Sequence, residues 1–348
     1  TQYLTQRGFP QVPPLAGWLE YRGPGGGTAV AALQGLVRNE GDAWRFTLDA
    51  LGRYFEHVLT DPSPVPDTSL ATVDLLALAE HEEPESAHVM LDGYLSSARL
   101  LGQRTAELHG VLAASDRPDF AGEPFTSFYQ RAVYQSMRVL TTNVFQALAT
   151  RLDGIPEPAH DQAASVLDLQ PEITARFHVV IDRPIDAIRT RIHGDFHLGQ
   201  VLFTGNDFVI IDFEGEPARP LSERRRKRSP LVDVAGMLRS FEYAVHAALI
   251  NAEAQGLLRA ADAVALVPAA RYWELWVCVA FLRGYLEGTS GTTLIPRHPQ
   301  DLVTLLDIFR LEKAIYEVGY ELNNRPDWVG VPLSGILELM RPEVPVAP

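Results

Sequence analysis

The segment from His193 to Glu214 constrains the fold most strongly, because two short apolar runs flank a polar turn within it. The runs, 200–203 and 208–211, predict a pair of antiparallel strands. Asp195 precedes the first strand and Asp212 ends the second, so antiparallel pairing brings both carboxylates to the same end of the hairpin. The sequence therefore predicts a β-hairpin with two acidic side chains at its open end.

The residue types at this end of the hairpin suit phosphoryl transfer. Two carboxylates and the amide oxygen of Gln200 can serve a hydroxyl nucleophile and a hard divalent cation. In phosphoryl transfer the protein positions the reactants and neutralises charge, and it does little covalent chemistry itself. We predict that Asp195 orients and deprotonates the acceptor, that Gln200 and Asp212 hold magnesium with the ATP phosphates, and that His193 braces the loop. Either half of the motif alone is equally compatible with an ordinary turn or a strand-end carboxylate.

The motif also resembles a known family. The sequence His193-Gly-Asp-Phe-His-Leu-Gly-Gln200, followed by Ile211-Asp-Phe-Glu214, resembles the phosphotransferase signature of the aminoglycoside-kinase-like branch of the protein-kinase fold. Residues 213–225 and 229–243 more narrowly resemble the maltokinases, which make maltose 1-phosphate from maltose and ATP and also occur fused to trehalose synthase. Gln200 stands where the wider superfamily usually has Asn, and the maltokinases are similar to this chain in carrying Gln.

This resemblance runs from 37–44 to 316–328 and implies an α+β, protein-kinase-like fold. It implies a truncated N-lobe at 1–38, with the end of a helix, two strands and the hinge. A large, mainly helical C-lobe at 39–348 would contain the hairpin, 193–214, and C-terminal sugar-binding helices. The implied reaction is magnesium-dependent transfer of the ATP γ-phosphate to the anomeric hydroxyl of maltose, with a trehalose synthase as fused or associated partner.

The resemblance implies roles outside the hairpin as well. Adenine would be hydrogen-bonded by backbone groups near Leu36, Val37 and Arg38. Asp233 would hold the catalytic loop, although an acid in the first turn of a helix is equally explained by the helix dipole. Glu216 would touch sugar or metal, the alternative being that it braces Arg219.

Two pairs of aromatic residues are candidates for a sugar-binding wall. Tyr316 and Tyr320 are four residues apart and therefore share a helix face, and Tyr272 and Trp276 have the same relation. Aromatic faces pack on sugar C–H surfaces, and a phenol can hydrogen-bond sugar hydroxyls. Such stripes taken alone are more often core. The resemblance favours a sugar-binding role, above all for Tyr316 and Tyr320.

Charge and hydropathy narrow the class of partner and the compartment. The formal net charge of -14 argues against a nucleic-acid or anionic-membrane partner. The basic run 224–228 is the exception, and we interpret it as a solvated loop rather than a phosphate site. The longest apolar run, about 275–282, is too short to cross a bilayer. With a single cysteine, Cys278, and no secretory signal, the expected location is cytoplasmic.

Lysine usage suggests that the chain is a fragment. Kinases of this fold anchor the ATP phosphates with a lysine on an N-lobe strand, whereas the lysines here are Lys227 and Lys313. Residues 2–7 predict the end of a helix stopped by Gly8. We interpret the chain as a maltokinase that lacks the preceding strands, the phosphate-covering loop and the anchoring lysine.

Hydrophobic periodicity predicts the remaining elements. Strands are predicted at 18–21 and 28–37 around a glycine-rich connection, and 61–67 is predicted to be a linker. Asp42 is a candidate helix N-cap and His109 a buried structural histidine. Helices are predicted at 43–60, 72–82, 85–114, 125–151, 162–181, 229–253, 269–287, 298–324 and 333–340.

Two other functions remain open at this point. One is a different small-molecule kinase, with an aminoglycoside, an amino sugar or a fructosamine as acceptor. The other is a non-catalytic pseudokinase module of a trehalose synthase. An acceptor panel separates the first from a maltokinase, and nucleotide binding separates the second.

Overall fold

The computed structural model describes residues 1–23, 26–60, 74–91, 93–254 and 260–341, with side chains described for all of these except 254 and 260–265. The predicted linker at 61–67 and the centre of the glycine-rich connection, residues 24 and 25, lie outside the described residues. Within the described part of the chain, no helix is long and apolar enough to cross a membrane.

The N-terminal part is a short helix followed by a hairpin. Helix α1 (Gln2–Gln6) is followed by Gly8 at φ +68°, the left-handed stop that the sequence predicts. Strands β1 (Leu15–Gly23) and β2 (Gly26–Gln34) pair antiparallel, as predicted. The predicted extension of the second strand to residue 37 is wrong, because β2 ends at Gln34. The N–H of the next residue, Gly35, donates to the carbonyl of Pro14 at 2.8 Å.

A series of helices follows. Helix α2 is Ala43–Thr60, and its N-cap is Asp42, whose Oδ1 accepts the N–H of Arg45 at 2.8 Å. The next elements are α3 (Leu75–Ala79), α4 (Glu85–Met90), α5 (Tyr94–Ala113), β3 (Glu123–Pro124), α6 (Ser127–Arg151), α7 (Ala159–Asp168) and α8 (Gln170–His178).

Two of the predicted helices are each divided in the structure. The pattern over 85–114 forms α4 and α5, with Gly93 at φ +77° just before α5. The pattern over 162–181 forms α7 and α8, and Pro171 stands at the start of α8, where its missing N–H and fixed φ are tolerated. Apolar periodicity continues across both breaks because the two helices of each pair face the same core.

The central hairpin has the predicted form. Strand β4 (Ile188–Arg189) pairs with β3, and it precedes β5 (Val201–Phe203) and β6 (Phe208–Ile210). Val201 lies opposite Ile210, so the residues next to them, Gln200 and Ile211, sit together at the open end. The N–H of Ile211 donates to the Gln200 carbonyl at 3.0 Å.

The C-terminal part is helical, and its long helices build the core. Its elements are α9 (Leu221–Arg224), α10 (Leu231–Ala254), α11 (Ala260–Thr289), α12 (Pro299–Asn324) and α13 (Gly330–Leu339). Helix α12 packs against α10, α6 and α13, and α5 runs along α11. This α+β arrangement, a few short strands on a large helical body, agrees with the fold class predicted from the sequence.

The contact between α5 and α11 depends on glycines. A Cβ at Gly102 would collide with the backbone carbonyl of Phe281, and one at Gly284 would collide with the carbonyl of Arg99. The two helix backbones can therefore approach this closely because neither position carries a side chain.

We expect Gly102→Ala to lower the free energy of unfolding by about 1–3 kcal/mol, because the new methyl forces the two backbones apart. Gly110→Ala is the matched control in the same helix, since its Cβ would meet no atom within 4 Å. That variant should gain about 0.5–1 kcal/mol from the better helix former. Urea unfolding followed by circular dichroism measures both, and equal changes in the two variants would contradict the close-approach explanation.

Candidate active site

The loop before β5 is held by Asp233, in the first turns of α10. Its carboxylate accepts the backbone N–H of His193 at 2.7 Å and that of Gly194 at 2.9 Å. Gly194 lies at φ +85°, a conformation that favours glycine. The loop that carries Asp195 is thus fixed to α10 through two consecutive peptide groups.

Asp233 is in turn supported from the core. Its Oδ2 lies 3.1 Å from Nε2 of His109, whose Nδ1 lies 3.0 Å from the hydroxyl of Tyr285. Burial alone would raise the pKa of the Asp233 carboxyl, but hydrogen bonds from His109 and the loop lower it below its ordinary value. An ionised Asp233 can only accept, so Nε2 of His109 is the donor in this bond. His109 is buried as predicted, but its link to Asp233, 124 residues away, has no local sequence signal.

His193 connects the two halves of the motif. Its Nε2 donates to the carbonyl of Ile211 at 2.7 Å, and its Nδ1 accepts the N–H of Asp195 at 3.4 Å. The ring also packs between Phe196 and Phe213. The Asp195 loop and the strand end that leads to Asp212 are thereby held by one imidazole.

His197 is a further polar group beside Asp195. Its Nε2 lies 4.0 Å from Asp195 Oδ2, and its Nδ1 accepts the N–H of Gly199 at 3.1 Å. Burial lowers the pKa of His197, although the neighbouring Asp195 carboxylate acts in the opposite direction. At neutral pH the ring is therefore uncharged and presents its Nε2–H on the side of Asp195. Sequence reasoning left this residue of the motif without a role.

Both predicted metal ligands lie at the open end of the hairpin. Gln200 precedes β5 and Asp212 follows β6. The backbone hydrogen bond between Gln200 and Ile211 joins the two strands at this end. Asp212 has φ +57°, a strained conformation for a residue with a side chain, and it is exposed. Amide and carboxylate oxygens are ligands that magnesium prefers, so the donor types fit that ion.

A small recess of about 40 Å³ lies beside Asp195. Glu216, Arg219, Lys313 and Tyr316 line it from the segment after β6 and from α12. Burial, followed by the neighbouring Glu216 carboxylate, raises the pKa of the Tyr316 phenol. The recess is of the size of one or two waters, so it suits a reacting hydroxyl rather than a whole sugar.

Lys313 is a residue of this recess that sequence reasoning missed. Its Nζ lies 5.1 Å from the centre of the Tyr316 ring. Lys313 lies in the helix predicted at 298–324, but no function follows for it from its position in the sequence alone. The signal that could have found it is its spacing of three residues from Tyr316, which places the two on one helix face.

The second aromatic pair belongs to the core. Tyr272 and Trp276 are 2% and 5% exposed, neither lines the recess, and the Tyr272 hydroxyl bonds Ser86 Oγ at 3.0 Å. The interpretation of these two as a sugar wall is therefore corrected, because their helix faces the interior. Tyr320 is 44% exposed and lies outside the recess, with the Arg325 guanidinium 5.8 Å from its ring centre.

The predicted hinge lies next to the hairpin. The N–H of Glu40 donates to the carbonyl of Phe203 at 2.8 Å, and the N–H of Phe203 donates to the carbonyl of Gly41 at 2.9 Å. Leu36 is 95% exposed, and the Val37 carbonyl accepts from the Asn39 side chain at 3.0 Å. Contacts from Leu36, Val37 and Arg38 to adenine stay a prediction.

The basic run is only partly the solvated loop that was predicted. Arg225 and Arg226 are exposed, but Lys227 is 9% exposed and bonds Glu123 and the Pro118 carbonyl, each at 2.6 Å. Arg228 forms two hydrogen bonds with Glu312 at 3.0 and 3.1 Å. The last two residues of the run, Lys227 and Arg228, are therefore packed against the rest of the protein.

Comparisons with known proteins match the chain to a family of phosphotransferases. The sequence profile of the phosphotransferase enzyme family (APH) matches residues 62–273. A glucosamine kinase of Streptacidiphilus jiangxiensis is 28% identical over 252 residues, which are 72% of this chain and 50% of that protein. One of Mycolicibacterium smegmatis is 28% identical over 158 residues, 42% of this chain and 34% of that protein. The chain thus spans about half the length, or less, of these curated relatives.

Solved structures show the same fold. A glucosamine kinase in complex with glucosamine, ADP and inorganic phosphate superposes with a TM-score of 0.68 at 20% identity, over 97% of this chain and 70% of that one. A second crystal form of a glucosamine kinase gives a TM-score of 0.66, over 97% and 69% of the two chains. At this identity the superposition establishes the architecture, and it agrees with the kinase-like fold predicted from the motif.

Proposed function

This chain belongs to the phosphotransferase enzyme family, and we propose that it transfers the γ-phosphate of ATP to a sugar, with the anomeric hydroxyl of maltose as acceptor. The observation that carries the proposal is the clamping of the Asp195 loop by Asp233, beside a recess lined by Tyr316 and Glu216. Positioning of this kind is what phosphoryl transfer requires of a protein.

The positions of the side chains support the following proposed roles. Asp195 accepts the proton of the acceptor hydroxyl as that oxygen attacks the γ-phosphorus, and the bond from this phosphorus to the β–γ bridging oxygen breaks so that ADP leaves. His193 keeps the loop in register with the hairpin end. Gln200 and Asp212 would hold a magnesium ion, which when bound would neutralise phosphate charge. Lys313 adds a fixed positive charge in the recess.

Acidic and basic side chains both line the recess, so its charges alone do not select between a neutral and a cationic acceptor. The cations are Arg219, Arg228 and Lys313, and the acids are Asp195, Glu216, Asp233 and Glu312. Support for maltose comes from the resemblance of 213–225 and 229–243 to the maltokinases.

An amino sugar is the second candidate, because the named relatives are glucosamine kinases. The two can be separated by offering the product of the complete gene ATP, magnesium and one acceptor from maltose, glucose, glucosamine, trehalose or kanamycin. Phosphorus NMR of the product identifies the acceptor and the carbon that carries phosphate. Transfer to C1 of maltose supports the proposal, transfer to glucosamine replaces maltose by an amino sugar, and the absence of transfer to any sugar refutes both.

A trehalose synthase, fused to this chain or associated with it, is the partner that the maltokinase resemblance leads us to propose. Copurification of trehalose synthase activity with the native protein from its host checks this. Recovery of the kinase alone, on a chain that lacks a synthase domain, would contradict it.

Tyr316→Phe should raise the KM for the acceptor about tenfold, because one hydrogen bond worth about 1.5 kcal/mol is lost at the recess. The KM for ATP should stay within twofold. Tyr21→Phe is the control, since Tyr21 is 67% exposed on β1. Initial-rate kinetics with the preferred acceptor measure both variants, and an unchanged acceptor KM in Tyr316→Phe would remove Tyr316 from the acceptor site.

A further inference from the structure

A second and larger cavity adjoins the recess. It holds about 660 Å³ and lies between the β3–β4 pair, the first turns of α6 and the segment 219–228. Three residues line both it and the recess, namely Arg219, Arg228 and Glu312. The cavity is thus a neighbour of the catalytic loop, and no role proposed above uses it.

The lining of this cavity is basic, although the chain as a whole has a net charge of -14. Its acidic side chains are Asp119, Glu123, Glu223 and Glu312. Its basic side chains are Arg189, Arg191, Arg219, Arg225, Arg226, Lys227 and Arg228. Seven cations against four anions leave an excess of three positive charges around one solvent-open cavity.

The ion pairs within the lining leave several arginines without a counter-charge. Glu123 forms ion pairs with both Arg189 and Lys227, each at 2.6 Å, and Glu312 forms one with Arg228 at 3.0 Å. Among the residues that the structure describes, four lining arginines have no carboxylate oxygen within 4.0 Å: Arg191, Arg219, Arg225 and Arg226. The uncommitted acids are Asp119 and Glu223, so positive charge predominates after pairing as well.

Two of the arginines are incompletely satisfied. Burial and then the neighbouring Arg225 lower the pKa of Arg191, which shows that its charge lies in an unfavourable environment. The Nε of Arg189 is buried without a hydrogen-bond partner in the described structure. An anion in the cavity would offset the unfavourable environment of the Arg191 charge, since a buried cation without a counter-charge is destabilising.

We propose that this basic cavity, defined by its lining between β3–β4, α6 and 219–228, is a binding site for a phosphate-bearing small molecule. The planar guanidinium fork matches phosphate oxygens in a bidentate way, and arginine supplies six of the seven cations. A cavity of about 660 Å³ is in the size range of small-molecule sites. Because Arg228 and Glu312 also border the recess, an occupant would contact the wall of the catalytic site.

The test is isothermal titration calorimetry of the full chain with inorganic pyrophosphate and with glucose 1-phosphate, without magnesium or nucleotide. The variant Arg225→Gln/Arg226→Gln removes two exposed lining cations, so its folding should be unaffected. The variant Arg131→Gln/Arg138→Gln removes two exposed arginines of α6 outside the lining and makes the same change in net charge. Because the readout is binding rather than turnover, it does not depend on the proposed function.

We expect at least tenfold weaker binding in Arg225→Gln/Arg226→Gln and less than twofold change in Arg131→Gln/Arg138→Gln. Tighter binding of glucose 1-phosphate than of pyrophosphate would identify a sugar phosphate as the ligand class, and the reverse order a di- or triphosphate. No binding of either probe at millimolar concentration would overturn the proposal. Equal weakening in the two double variants would also overturn it, because the effect would then be one of net charge.

Discussion

Asp195→Asn is expected to lower kcat for transfer from ATP by about 100- to 10,000-fold, the usual contribution of a positioned general base. The amide keeps the size of the side chain but cannot accept the proton of the acceptor hydroxyl. The loop itself should stay in place, since it is held by Asp233 and His193 rather than by the Asp195 carboxylate. Steady-state kinetics on the product of the complete gene measure the loss.

The specificity of this result is checked in two ways. The melting temperature and the affinity for ADP should be those of the unchanged protein, because the Asp195 side chain accepts no hydrogen bond that Asn would lose within the described structure. Asp186→Asn, at an acid whose side chain is 71% exposed, should leave kcat unchanged. A kcat for Asp195→Asn within threefold of the unchanged enzyme would refute the assignment of Asp195 as the base.

Asp233→Ala should lower the free energy of unfolding by about 3–5 kcal/mol, the cost of removing one partner from a buried charged cluster. The N–H groups of His193 and Gly194 and the ring of His109 would all lose their acceptor. Asp207→Ala is the matched control: its bidentate bonds with Arg104 are at 2.8 and 2.9 Å, but the pair is partly exposed and should be worth about 1 kcal/mol. Denaturant unfolding compares the two variants.

The pH dependence of this second prediction has a definite sign. Because the folded protein lowers the pKa of Asp233, its stabilisation is present above the unfolded value of about 3.9 and is lost as pH falls through the folded value. The difference in stability between the unchanged protein and Asp233→Ala should therefore be constant near neutrality and should shrink in acid. A difference that grows on acidification would contradict an ionised Asp233.

The elements that could be predicted are those with a local signal. The hairpin of β5 and β6 follows from two apolar runs around a polar turn, the start of α2 from Asp42, and the end of α1 from Gly8. Each of these depends on residues within a few positions of one another. The family signature extends such local signals to the fold class.

What could not be predicted depends on contacts between distant parts of the chain. The pairs Tyr272 with Trp276 and Tyr316 with Tyr320 have the same spacing, and only the packing of α11 and α12 distinguishes the core pair from residues near the recess. The bond between His109 and Asp233 spans 124 positions. The cavity beside the basic run is likewise formed by residues of β3, β4 and α6, which lie far from the run in sequence.

The hydrogen bonds from Tyr285 through His109 and Asp233 to His193 connect the interior of the helical body with the loop that carries Asp195. We therefore expect a substitution that shifts α5 against α11 to move this loop without any direct contact to it. In evolutionary terms, relatives that work at different temperatures or rates could diverge through changes along this helix contact while the motif itself stays the same.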